Sequence, residues 1–278
     1  MLKKQVKSRN FSFGTIVALY KVIKKTLRNE RRKTMERKLR NMSWTDFEEL
    51  RKTAKTIIIP SGACEVYGPQ NPLGADILVA KKLSEMLAER VNGIVAPCLE
   101  VGQSKSLTTF PGTIAISANT LKAVYSEIID EFVRLGFTRF FIVNNHLHNT
   151  QPLTEVLEDA RIAHGIKYGQ VGVWQYLPVV TDKLGIWETE KPHAHASEAQ
   201  TSVLLHLYPE LVHMEKAVNT PIKPDRWPGI TKSILYSEQT DSGLLGDGTV
   251  ATAEKGKIAV DTALDAMEDF IKNYLEKE

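Results

Sequence analysis

The chain has 278 residues, 42% of them hydrophobic and 25% charged, with 36 Lys and Arg against 33 Asp and Glu. Such a length and apolar content can bury a full globular core, and they exclude a disordered, collagen-like or disulfide-scaffold protein. The net charge of +3 hides an uneven distribution: residues 1–41 carry 14 basic and 2 acidic side chains, a net of +12, which leaves −9 for 42–278.

Residues 1–41 therefore read as a basic N-terminal extension outside the fold, and 42–278 as a single folded domain. The apolar run Phe11 to Tyr20 is shorter than the roughly 20 residues a membrane span needs, and no small-residue cleavage site follows it. Three roles stay open for the extension: a segment upstream of a later start, since Met35 and Met42 precede the first folded segment, an amphipathic membrane-surface helix, or a nucleic-acid contact. The acidic folded domain is expected to bind no nucleic acid. Cys64 and Cys98 show no metal-ligand spacing, so a reducing, cytoplasmic setting is expected.

From Met42 onward short apolar runs alternate with stretches of helical period, the pattern of a mostly parallel sheet with crossover helices. Ser43 followed by Asp46 predicts a capped helix through Lys52. TIIIP (56–60) predicts a buried strand, Asp76 to Val91 an amphipathic helix, and IVAP (94–97) the next strand. Asn119 to Leu135 repeats Leu121, Val124, Ile128 and Phe132 at helical spacing and ends at Gly136. RFFIVN (139–144) predicts a strand, Leu153 to His164 a helix closed by Gly165, and QVGVW (170–174) a further strand. Helices over about 197–207 and 249–274 complete the domain.

In open α/β sheets ligands bind beyond the carboxyl ends of the strands. Three polar loops fall there: 61–76 (SGACEVYGPQNPLGAD), 102–113 (GQSKSLTTFPGT) and 145–150 (NHLHNT). Glu65 and Asp76 flank the first loop. Asp76 reads either as a helix cap or as a ligand, and Glu65 either as a solvated loop carboxylate or as a ligand. His146 and His148 share one side if the extended backbone continues, and His193 and His195 repeat the spacing. Four of the seven histidines sit in these two pairs. Carboxylates and imidazoles on neighbouring loops are the composition of a divalent-metal hydrolase site.

These segments together resemble the creatininase family. The family's Gly-x-x-Glu-Gln-His-Gly-Pro loop closing on Asp is similar to Gly62 to Asp76 (GACEVYGPQNPLGAD), and FPGT recurs at 110–113. Its Asn-Gly-His loop appears as Asn144, Asn145 and His146, its His-Ala-Gly…Glu-Thr-Ser segment as 195–202 (HASEAQTS), and its C-terminal run as 243–256 (GLLGDGTVATAEKG). The resemblance implies a three-layer α/β/α fold with a mostly parallel sheet, and a hydrolase that opens a small polar cyclic substrate with metal-activated water. It implies Glu65, Asp76 and His146 as metal ligands, with His148 as a further ligand or a catalytic group. It also implies His195 as the group that protonates the leaving atom.

The chain departs from the family at Tyr67, Gln70 and Gln200, where the family has two histidines and a glutamate. One ion is expected at Glu65, Asp76 and His146, with a second position left open, and a carboxylate and imidazole set suits Zn²⁺ or Mn²⁺. Tyr67 could donate to a developing oxyanion. Other readings are a carbon–carbon hydrolase of a cyclic diketone such as a diketo-inositol, a formamide hydrolase, and a metal-poor pseudoenzyme acting in binding or assembly. A small-molecule substrate and a homo-oligomer, a hexamer in the family's manner, complete the expectations. Trp187, Trp227 and the stretch 221–228 suit a pocket or an interface equally.

Overall fold

In the computed structural model, which describes residues 35–277 apart from 225, 228, 231 and 233, the first helix starts at a side-chain cap. Ser43 Oγ accepts from Asp46 N and α1 follows over Trp44–Arg51. The run Phe11 to Tyr20 and nearly all of the basic extension lie outside the described residues. The folded unit is Arg37–Glu278, so the boundary expected at Met42 moves to Arg37. Arg37 and Lys38 look like part of a charged leader, yet their backbone continues the sheet. Arg37 O accepts from Val95 N at 2.8 Å, and Lys38 pairs in parallel with Val95.

Among the described residues four parallel strands form the main sheet: β1 (Ile57–Ser61), β2 (Ile94–Val95), β3 (Arg139–Asn144) and β4 (Lys167–Gly172). Their spatial order is β2-β1-β3-β4. The connection from β1 runs outward to β2, while β3 and β4 lie on the other side, so the loops after β1 and β3 flank a switch point where a crevice opens. β1 is buried along its whole length, as expected of a strand covered on both faces.

Helices α2 (Ala75–Val91), α3 (Ala118–Arg134) and α4 (Thr150–His164) make the crossovers. Ile58, Phe141, Val143 and Val171 from the sheet pack with Val79, Leu83 and Leu87 of α2. The same core takes in Val203 and Leu204 from α6 (Glu198–Leu207) and Val260, Leu264 and Met267 from α7 (Ala253–Phe270). The α3 and α4 helices pack on each other, and Tyr125 of α3 donates to Pro60 O at 3.0 Å, which ties that layer to the sheet. The expected three-layer α/β/α architecture is the one observed. A short antiparallel pair, β5 (Asn219–Thr220) and β6 (Gly246–Asp247), lies apart from the main sheet.

Two strands differ from expectation. IVAP contributes only Ile94 and Val95. QVGVW is not a strand through Trp174: β4 begins at Lys167 and ends at Gly172, and α5 (Val173–Thr181) starts immediately after. The alternation in QVGVW imitates a strand, whereas the early part of β4 is disguised by Gly169, whose place cannot take a Cβ because the Phe270 ring would lie 2.4 Å from it. This early turn into α5 brings Trp174 to the crevice. No helix among the described residues is long and apolar enough to cross a membrane.

Candidate metal centre

The loop after β1 supplies Glu65, the first turn of α2 supplies Asp76, and the loop after β3 supplies His146. All three are buried, and one ligand atom from each lies within 4.8 Å of the others. His146 Nδ1 is 3.1 Å from Asp76 Oδ2 and 3.3 Å from Glu65 Oε2. Its Nε2 is 3.0 Å from Gln103 O. A carbonyl only accepts, so Nε2 carries a proton and Nδ1 is the atom turned to the carboxylates. A backbone oxygen holding the far nitrogen of a histidine is the support that metal-ligating imidazoles receive.

The carboxylates are oriented too. Trp174 Nε1 donates to Asp76 Oδ1 at 2.8 Å, and Ser104 Oγ donates to Glu65 Oε2 at 2.5 Å. Asp76 makes no side-chain cap, so the capping alternative fails, as does a solvated Glu65. The donor set of two carboxylates and one imidazole fits a divalent cation.

Charge balance supports the same assignment. Burial, with the neighbouring Glu65 charge, holds the Asp76 carboxyl above its usual range against the pull of His146 and Trp174. Burial also works upward on Glu65, but the bond to His146 and the charges of His146 and His195 outweigh it and hold Glu65 low. Desolvation works against the His146 cation, yet its bonds to Asp76 and Glu65 push it up to about 10. Without an ion, the imidazolium supplies the positive charge that two buried carboxylates require.

A metal must displace that proton. Zinc titrated into metal-free protein at neutral pH is expected to release about one proton per ion, read from the dependence of the binding heat on buffer ionisation. Affinity should climb as pH rises toward about 10, where His146 loses its proton unaided. The ion pairs have the opposite dependence: their contribution to stability is complete below the ordinary histidine pKa and is lost as pH rises through about 10. Zinc binding with no proton release would contradict this account.

The triad lines a cleft of about 490 Å³, with Tyr67, Asn145, His148, Trp174, His195 and Tyr236 among the other walls. His148 stands edge-on to His146 at a ring separation of 5.4 Å. Among the described residues it does not join the ligand cluster; burial and the His146 charge press its pKa down. Tyr67 is buried and its hydroxyl has no well-formed hydrogen bond. Burial and the charges of Asp76 and Glu65 push that phenol well above its usual pKa, so it stays neutral.

His195 Nε2 donates to Val66 O at 2.9 Å, and its ring lies between Tyr67 at 4.7 Å and Tyr236 at 5.0 Å. His193 instead faces Asp182 at 2.8 Å and Trp187, beside a second cleft. Sequence reasoning missed Trp174, Tyr236 and Asn145. Asn145 was visible in the motif, standing where the family loop has glycine, and its carboxamide is wholly buried with neither Oδ1 nor Nδ2 partnered.

Residues 40–271 match the Creatininase family, described as creatinine amidohydrolase. The chain is 27% identical over 252 residues to a creatinine amidohydrolase of Pseudomonas putida, a match covering 83% of this chain and 94% of the relative. It is 27% identical over 266 residues to 3-dehydro-scyllo-inosose hydrolase of Thermotoga maritima, covering 85% and 83%. To the mycofactocin precursor peptide peptidase of Mycobacterium ulcerans it is 29% identical over 220 residues, covering 75% and 81%. A crystal structure of creatinine amidohydrolase shares the fold at a TM-score of 0.79 and 23% identity, covering 88% of this chain and 100% of that one. The match runs through almost the whole folded unit, and the chain belongs to the creatininase family of hydrolases.

Proposed function

We propose that this chain hydrolyses a small, polar, cyclic amide in the cleft above Glu65, Asp76 and His146. The buried, mutually oriented triad carries this reading. A divalent ion held there, Zn²⁺ or Mn²⁺, would polarise the scissile carbonyl and make water a nucleophile near neutral pH. Water adds to the carbonyl carbon, the C–N bond breaks, and the departing nitrogen takes a proton from His195. With Nε2 committed to Val66 O, Nδ1 is the atom that collects the proton water releases and hands it to the nitrogen. The Tyr67 hydroxyl, buried beside the carboxylates and without a well-formed hydrogen bond, donates to the oxygen that gains charge. Trp174 keeps Asp76 turned to its task. The cleft volume of about 490 Å³ suits a small molecule.

A second reading, cleavage of a carbon–carbon bond in a cyclic diketone, draws on the unpartnered Asn145 carboxamide, which can both donate to and accept from ring hydroxyls. The Thermotoga relative is named as a hydrolase of an inosose. Protein purified without chelator is expected to carry about one zinc or manganese per chain, held by the one complete ligand set among the described residues. Creatinine, formamides, cyclic diketo-polyols and a short peptide assayed side by side then identify the bond. A metal-free protein that turns over none of them would sink the hydrolytic reading in favour of a binding or assembly role. The free Cys64 and Cys98 accord with a cytoplasmic setting, and a homo-oligomer follows the family resemblance.

A further inference from the structure

Ala196, next to His195, is buried and has φ 58°, a left-handed backbone otherwise shared among the described non-glycine residues only by Asn92. For an alanine this conformation is strained, and strain of this kind persists where surrounding groups impose it. Here two buried glutamines do so. Gln200 Oε1 accepts from Ala196 N at 2.5 Å, and Gln70 Nε2 donates to Ala196 O at 3.0 Å. Thr201 Oγ1 donates to the same carbonyl at 2.9 Å.

The seat of Gln70 is shaped for it: a Cβ at Gly248 would come within 2.8 Å of Nε2, and one at Gly68 within 2.6 Å of Oε1. Gln70 belongs to the loop that also carries Glu65 and the Val66 carbonyl bonded to His195. The His195 side chain, held by the Val66 carbonyl, and the Ala196 carbonyl, held by Gln70, are thus both fastened to the loop that holds a metal ligand. Both glutamines are departures from the family motif. Gln200 also lines the cleft with Glu65 and Asp76, so a carboxamide there keeps the acceptor without adding a third negative charge.

We propose that Gln70 and Gln200 are positioning residues that clamp the Ala196 peptide and so fix the His195 ring, with Nε2 on Val66 O and Nδ1 left for proton transfer. The catalytic meaning rests on the reading of His195 as proton donor, but the clamp itself is measurable without substrate. In zinc-loaded protein, long-range ¹H–¹⁵N spectra of labelled histidine should show neutral His195 as a single Nε2–H tautomer. Gln200→Met and Gln70→Met, similar in volume, should give mixed tautomers at His195 and move the Ala196 amide resonance.

Adding Ala196→Gly to either variant should restore the single tautomer, because glycine takes the left-handed conformation without a clamp. Gln200→Glu, which retains the acceptor, should keep it. With a substrate in hand, the methionine variants should lose roughly tenfold to a hundredfold in kcat at nearly constant KM. An unmoved His195 tautomer in folded Gln200→Met, or no recovery with Ala196→Gly, overturns the clamp. Should the methionine variants misfold, Ala196→Gly in the otherwise natural chain decides: Gln200→Met must fold and keep the tautomer on that background, or the proposal falls. Full turnover in His195→Asn alongside the expected spectra would overturn the proton-donor reading and leave the clamp standing.

Discussion

Asp76→Ala is expected to lose the bound ion and at least a thousandfold in turnover, and the metal-free protein becomes less stable than its parent. The first effect follows from position. Asp76 is buried in the first turn of α2, beside Glu65 and His146, and Trp174 holds its other oxygen. Removing it leaves two protein ligands, too few for a tight divalent site. Polarisation of a carbonyl by a metal contributes several kcal/mol, and about 4 kcal/mol corresponds to roughly a thousandfold in rate.

The second effect follows from charge. Without an ion, Asp76 and Glu65 are like-charged neighbours, and burial with the Glu65 charge raises the Asp76 pKa. Deleting one carboxylate relieves that repulsion, but it also removes a buried ion-pair partner of His146 and leaves the Trp174 indole N–H without its acceptor, which outweighs the relief. Added zinc should therefore raise the Tm of the parent, by mass action about 2.7 kcal/mol at a hundredfold excess over Kd, and leave the Tm of the variant unchanged. Thermal denaturation with and without zinc, beside elemental analysis, reads both. A variant that keeps its ion and its turnover would remove Asp76 from the centre.

Where hydrophobic period and capping chemistry agree, the amino-acid sequence already defines the element. RFFIVN is β3 at the residues expected. Ser117 accepts from Thr120 N at the start of α3, and Gly136 follows its end with φ 92°. Glu65, Asp76 and His146 stand out as candidates because each lies where a predicted strand ends or the following helix begins, while it is the resemblance to the creatininase family that implies them as ligands. Trp174 was hidden by a local pattern that reads as strand, although its indole turns toward a carboxylate 98 positions away in sequence. Tyr236 comes from an irregular stretch with no period to read. The turn at Ala196 is hidden for a different reason: alanine gives no sign of a left-handed backbone, and the glutamines that impose it act from 126 residues before and 4 residues after.

Tyr67→Phe is expected to retain the metal, lower turnover by roughly a hundredfold, and leave stability unchanged or raised by about 1 kcal/mol. The phenol ring fills the core between Trp174 and His195, and phenylalanine keeps that volume. The hydroxyl is buried without a well-formed hydrogen bond, so the folded protein loses no established bond when it is removed and is relieved of a desolvated polar group. Burial and the nearby carboxylates keep the group protonated, which makes it a neutral donor and a poor ligand. An oxygen that gains negative charge during hydrolysis would be a better acceptor than any the hydroxyl meets at rest. Loss of one such donor typically costs 10²-fold to 10³-fold in rate. Metal content, Tm and kcat measured on one preparation separate the roles: a lost ion would make Tyr67 a ligand, a lower Tm would make it structural, and undiminished kcat would take the phenol out of the reaction.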